Sequence, residues 1–135
     1  MTPKIRVADT VYNTEKIILG IEEAAGNGAK IIVFPELCIT GYTCADLFLQ
    51  ELLLRKAEEG LFAIAEHTRE IDALIFVGLP VRRENKLYNV AAALYRGGIL
   101  GFIPKANIPV RHWHKCNQQY SLRWKISRAF PGIRP

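Results

Sequence analysis

The sequence predicts an α/β fold, and three observations predict it. Ile31 to Phe34 is too apolar for a surface loop and reads as a strand buried on both faces, as in a parallel sheet. A helical pattern leads straight into it, and helix followed by buried strand is half of an α/β crossover unit. A second apolar run, Ala73 to Leu79, is closed by Pro80 as the first is closed by Pro35, so two strands are expected to end in the same way.

Taken in order, Thr2 to Tyr12 contains Pro3 and mixed charges and reads as a loop or edge segment. Asn13 or Thr14 is expected to cap the first helix, with Glu15 set against its positive end. Ile17, Ile18, Ile21, Ala24 and Ala25 share one face at helical spacing, and Gly26-Asn27-Gly28 stops the helix. After Gly41-Tyr42, Ala45 to Gln50 reads as a short helix and Glu51 to Arg69 as a longer one. Leu53, Ala57, Leu61, Ile64 and Ala65 form the apolar stripe of the longer helix, while Arg55, Lys56, Glu58, Glu59 and Glu66 form its solvated face. Arg82 to Lys86 is a polar turn, Leu87 to Arg96 a strand, Gly97-Gly98 a tight turn and Ile99 to Ile103 a further strand. This hairpin extends a sheet that began as parallel.

Two charged residues stand beside the prolines that end these strands. Glu36 follows Pro35 at the carboxyl end of a buried strand, where open α/β sheets place catalytic groups. Lys105 follows Pro104 in the equivalent position of the last strand. A carboxylate in a partly apolar site can act as general base, and an ammonium can stabilise a developing oxyanion. Amide hydrolysis through a cysteine is the reaction that best fits such a pair. No His/Cys/Asp set has metal-ligand spacing and no glycine-rich phosphate loop is present, so neither metal nor cofactor is expected.

The chain has 135 residues, of which 50% are hydrophobic and 23% charged, which suits one globular domain. No apolar run approaches the roughly 20 residues that span a bilayer, and the N-terminus lacks a signal-peptide core, so no membrane association and a cytoplasmic location are expected. Three cysteines without framework spacing fit a reducing compartment. Residues 1–109 carry 12 Lys+Arg against 13 Asp+Glu, and residues 110–135 carry six basic residues and no acidic one. The net charge of +5 therefore belongs to the tail, which also holds Trp113, Trp124, His112 and His114 and shows no helical or alternating period.

Several motifs carry a family resemblance. Phe34-Pro35-Glu36-Leu37 with Gly41-Tyr42, Leu87-Tyr88-Asn89 before Gly97-Gly98, and Gly101-Phe102-Ile103-Pro104-Lys105 together resemble the nitrilase (carbon–nitrogen hydrolase) superfamily. More narrowly, Thr40-Gly41-Tyr42-Thr43-Cys44-Ala45-Asp46-Leu47-Phe48 and Phe102-Ile103-Pro104-Lys105-Ala106-Asn107-Ile108-Pro109 are similar to the glutaminase domain of bacterial glutamine-dependent NAD synthases. Thr2 to Asp9 is similar to the segment just after that family's first strand. The resemblance covers residues 2 to 109.

It implies a four-layer αββα sandwich, present here in part, and a Glu-Lys-Cys triad that hydrolyses glutamine to glutamate and ammonia. The ammonia would pass to a synthetase domain, absent from this chain, that uses ATP to amidate nicotinic acid adenine dinucleotide. Glu36 matches the general base, Lys105 the lysine that steadies the tetrahedral intermediate, and Tyr42 is a candidate for the substrate pocket. The family nucleophile follows a later strand in a Gly-x-x-(Ile/Val)-Cys context. Cys38 and Cys44 match non-catalytic positions, and Cys116 comes too soon after Lys105, so no nucleophile is assigned.

The expectation is an incomplete nitrilase-type domain over 1–109 with a non-family basic tail over 110–135, as a shifted reading frame would produce. It is expected to be inactive and to self-associate, because missing strands leave edges and apolar surface uncovered. Two other functions remain. One is a superfamily amidase acting on another small amide, with the same Glu36 and Lys105 roles. The other is a non-enzymatic fragment whose tail binds nucleic acid, with Trp113, Tyr120 and Trp124 stacking and Arg111, Lys115, Arg123, Lys125 and Arg128 meeting phosphates.

Overall fold

The computed structural model describes residues 1–105. Expectations for residues 110–135, including Cys116 and the aromatic and basic tail residues, lie outside the described residues. The element order is α1 (Thr10–Gly26), β1 (Ile31–Val33), a short 3₁₀ helix (Ala45–Leu49), α2 (Glu51–His67), β2 (Leu74–Arg83), β3 (Lys86–Tyr95) and β4 (Gly98–Pro104). The four strands form one mixed sheet in the order β1-β2-β3-β4. β1 and β2 are parallel, and the β2–β3 and β3–β4 pairs are antiparallel.

Helix α1 starts earlier than its sequence suggests. Asp9 is the N-cap, its carboxylate accepting a hydrogen bond from the Tyr12 N–H at 3.1 Å, and no acidic residue occupies the first turn. Asn13 and Thr14 are therefore not caps and Glu15 lies beyond the first turn. Asn13 is fully buried instead. Its Nδ2 donates to the carbonyls of Arg6 at 2.7 Å and Ile39 at 3.0 Å, and its Oδ1 accepts from the Arg6 N–H at 2.7 Å. A side chain that satisfies so much backbone at once is worth more inside than at a helix end.

Both helices cover one face of the sheet. Ile17 and Ile21 of α1 and Ala57, Leu61 and Ile64 of α2 meet Ile32, Ile75, Val77, Leu79, Ala92 and Leu94 in one core. Gly60 lets the helices close on each other, because a Cβ there would lie 2.5 Å from Thr14 Oγ1. The charged face of α2 is exposed as its pattern predicts.

Burial of β1 on both faces is corrected. Ile32 is buried, but Ile31 is 66% and Val33 54% exposed, because the helices cover only one side of this edge strand.

Pro80 does not end β2; the strand runs through it to Arg83. The carbonyls of Phe76 and Gly78 point toward the β1 side, where they accept from the N–H groups of Phe34 and Ile39. Pro80, two residues on, faces the same way at a point where β1 has already ended, so its missing donor breaks no ladder bond. The β2–β3 hairpin is tighter than expected, and the tight turn of the β3–β4 hairpin lies one residue earlier than Gly97-Gly98. Glu84 and Asn85, and then Arg96 and Gly97, all adopt positive φ, the geometry of two-residue turns matched to strand twist. Between β3 and β4 the register shifts, leaving Leu100 as the extra residue of a bulge.

Candidate functional site

Glu36 sits where the chain leaves β1 and folds back over β2. Leu37 has φ 53°, and its carbonyl accepts from the Thr40 N–H at 3.2 Å and the Gly41 N–H at 2.7 Å. The Ile39 N–H then bonds the Gly78 carbonyl at 3.3 Å, pinning this turn to β2. The turn lies directly on Gly78. A Cβ at that position would stand 2.5 Å from Leu37 N, 2.6 Å from Pro35 O and 2.9 Å from Glu36 Cα. Only a residue without a side chain lets the Glu36 backbone approach the sheet this closely.

Lys105 reaches the same place from β4. One step beyond the Val90–Pro104 pair it lies opposite Asn89, whose carbonyl accepts the Lys105 backbone N–H at 2.9 Å. Pro80 pairs with Asn89 on the other side. Leu79, Val90 and their neighbours at alternate positions point into the helix-covered core, so Pro80, Asn89 and Lys105 form a row on the opposite face.

Over that row the side chains meet. Lys105 Nζ lies 2.6 Å from Glu36 Oε2, and Asn89 Nδ2 donates to Glu36 Oε1 at 2.6 Å. The Glu36 and Lys105 side chains are each 35% exposed, open enough for a small substrate to reach and dry enough to strengthen their attraction. A carboxylate held this way keeps a free lone pair on each oxygen and can accept a proton. The ammonium beside it can face a developing negative charge.

The structure thus brings Glu36 and Lys105 together and leaves the third candidate apart. Tyr42 is 48% exposed and makes no hydrogen bond to either. Cys38 is fully buried with its Sγ 3.6 Å from the Gly78 carbonyl, and burial pushes its pKa from 9.0 up to about 11. Cys44 is also buried, which raises its pKa, and its Sγ points at the carbonyls of Thr40 and Gly41. Neither thiol has the electropositive, accessible surroundings of a nucleophile. Among the described residues no group of three His, Cys, Asp or Glu assembles into a metal site, and no helix is long and apolar enough to cross a membrane.

Asn89 and Gly78 are the site residues that a reading of the sequence misses. Each left a signal. Asn89 is a polar residue at the head of the apolar run Val90-Ala91-Ala92-Ala93, and Gly78 interrupts a strand interior, where glycine marks a close approach of another backbone.

Known proteins resemble this chain in sequence and in fold. The carbon-nitrogen hydrolase family matches residues 1–119. Glutamine-dependent NAD(+) synthetases of Aquifex aeolicus and Mycobacterium tuberculosis are 41% and 31% identical to this chain over 103 residues, or 76% of it. The chain spans 18% and 15% of the length of those relatives. Among solved structures, a glutamine-dependent NAD(+) synthetase from Cytophaga hutchinsonii superimposes with a TM-score of 0.75 at 35% identity, covering 80% of this chain and 18% of that one. An amidase from Nesterenkonia superimposes with a TM-score of 0.74 at 20% identity, covering 93% and 51%, a likeness of fold.

Proposed function

We propose, from the premise that this chain belongs to the carbon-nitrogen hydrolase family, that Glu36 and Lys105 are the base and the oxyanion-stabilising cation of a site that hydrolyses glutamine. The observation that carries this reading is the 2.6 Å pair between Glu36 Oε2 and Lys105 Nζ, held on a sheet face by Asn89 and Gly78. Similarity to glutamine-dependent NAD(+) synthetases supports glutamine as the amide.

In this scheme Glu36 takes the proton of a thiol as its sulfur bonds to the amide carbon. Lys105 faces the oxyanion that forms there. The proton passes to the departing nitrogen, ammonia leaves, and a thioester remains. Glu36 then takes a proton from water, the hydroxide bonds to the acyl carbon, and glutamate and the thiol are released. Neither Cys38 nor Cys44 is that thiol, because both are buried and their protons are held by desolvation. Neither described cysteine fits, and Cys116, outside the described residues, follows Lys105 too closely in sequence to match the family nucleophile, so this chain acting alone is not expected to release ammonia.

A chimera tests the two roles. Residues 1–105 would replace the matching segment of the Aquifex aeolicus relative, and ammonia release from glutamine would be measured. The chimera is expected to be active, with Glu36→Gln and Lys105→Ala each lowering the rate by about 100-fold or more, in line with general acid–base and oxyanion contributions. An active chimera indifferent to both changes would refute the assignment. A rate on a small aliphatic amide that exceeds the rate on glutamine would favour the amidase reading.

A further inference from the structure

Asn89 touches both members of the pair by different parts of itself. Its Nδ2 donates to Glu36 Oε1 at 2.6 Å while its carbonyl accepts the Lys105 backbone N–H at 2.9 Å. It is only 8% exposed, and its neighbours in the strand are apolar. A buried amide stays in such a run only where its hydrogen bonds are made. Glu36 lies 53 residues before Asn89 and arrives on a loop, whereas Asn89 is fixed in β3 between two paired strands. The amide on the paired strand therefore orients the carboxylate that the turn carries.

We propose that Asn89 is a positioning residue, which sets the Glu36 carboxylate against the Lys105 ammonium and so fixes the geometry of the pair. The inference rests on the reading of Glu36 as base only for its use in catalysis; the contact itself is independent of it. The carboxylate has two oxygens and two donors, one from each side. With Oε1 tied to Asn89, rotation about the last bond of Glu36 is restricted and Oε2 is presented to Nζ. Without that tie the carboxylate is free to turn toward solvent, since a third of its surface is exposed. Gly78 supplies the height of the Glu36 backbone above the sheet, and Asn89 the orientation of its side chain.

The test is a nuclear magnetic resonance measurement on the whole ¹⁵N-labelled chain at low temperature. A lysine ammonium held in an ion pair gives a detectable nitrogen–proton correlation, and loss of one signal in Lys105→Arg assigns it. Glu36→Gln should abolish this correlation and shift the side-chain amide signals of Asn89. Asn89→Ala should abolish it as completely as Glu36→Gln does, while backbone signals of β2 and β3 stay in place. If Asn89→Ala fails to fold, Asn89→Leu has nearly the same size, keeps the backbone carbonyl, removes the donor without adding charge, and is expected to lose the correlation too. A correlation of unchanged intensity in the folded variant, or none in the unaltered chain, would overturn the proposal. Failure of the base assignment shows elsewhere, as chimera activity that survives Glu36→Gln while the ammonium signal still depends on Asn89.

Discussion

Lys105 Nζ stands 2.6 Å from Glu36 Oε2 although 69 positions of chain separate them. The contact depends on a sheet of four strands in fixed register, since Lys105 is placed by β4 and Glu36 by the turn after β1. Each partner alone is a half-exposed charge at a strand end; the fold turns them into a pair.

Replacing Gly78 by alanine should disturb this pair from beneath. The added Cβ would meet three backbone atoms of residues 35–37 within 2.9 Å, and backbone cannot swing aside as a side chain can. A loss of about 1–3 kcal/mol in stability is expected, as for overpacking elsewhere. Urea unfolding measures it, and a loss under about 0.5 kcal/mol, the range of an ordinary surface change, would mean that the turn does not rest on Gly78.

Cys38 should make stability fall in alkali. Its folded pKa of about 11 lies above the ordinary 9.0, so the buried neutral thiol contributes fully below pH 9, and that contribution disappears as pH rises toward 11. The loss is on the order of 2–3 kcal/mol. Denaturant midpoints for the chain and for Cys38→Ala should converge over this interval. A constant difference between them would contradict it.

Asp72 should make stability fall in acid. Hydrogen bonds from Lys30, Tyr95 and Arg96 hold its carboxyl well below the usual carboxylate range. The folded group keeps its charge when the unfolded one takes a proton, so its contribution is present above the ordinary 3.8 and is lost as pH falls below it. Solvent screens this exposed cluster and keeps the effect small. Melting temperatures of the chain and Asp72→Asn should draw together in acid, and addition of salt should narrow their gap at neutral pH.

Self-association is the expected consequence of the sheet face away from the helices. Ile31, Val33 and Ile103 stand there 66%, 54% and 48% exposed. Apolar residues left exposed on both edge strands of the sheet favour contact between copies. Sedimentation should show species larger than the monomer at micromolar concentration, reduced by Ile31→Lys with Val33→Glu. A monodisperse monomer of the unaltered chain would contradict this.

How far the sequence revealed the site follows from what each residue answers to. Glu36 and Lys105 were legible because each follows a proline after an apolar run, a local pattern with a local cause. Pro80 looked the same and behaved differently, because a proline breaks a strand only where a partner strand stands on the side its nitrogen faces, and β1 has ended before that point. Asn89 could not be linked to Glu36 from spacing, since their contact depends on the joint register of three strands and the turn after β1. Asp9 caps α1 in place of the expected Asn13 or Thr14 for a related reason: Asp and Asn both cap helices well, and only the loop carbonyls of Arg6 and Ile39 make Asn13 more useful inside.

The most direct test of the account is ammonia release from glutamine by the purified chain and its Lys105→Ala variant. We expect both at the background rate, because Glu36 and Lys105 are in place while the thiols of Cys38 and Cys44 are withdrawn from the site and Cys116 follows Lys105 too closely in sequence to match the family nucleophile. Release above background that disappears in Lys105→Ala would contradict it, and would mean that this chain carries a working nucleophile of its own.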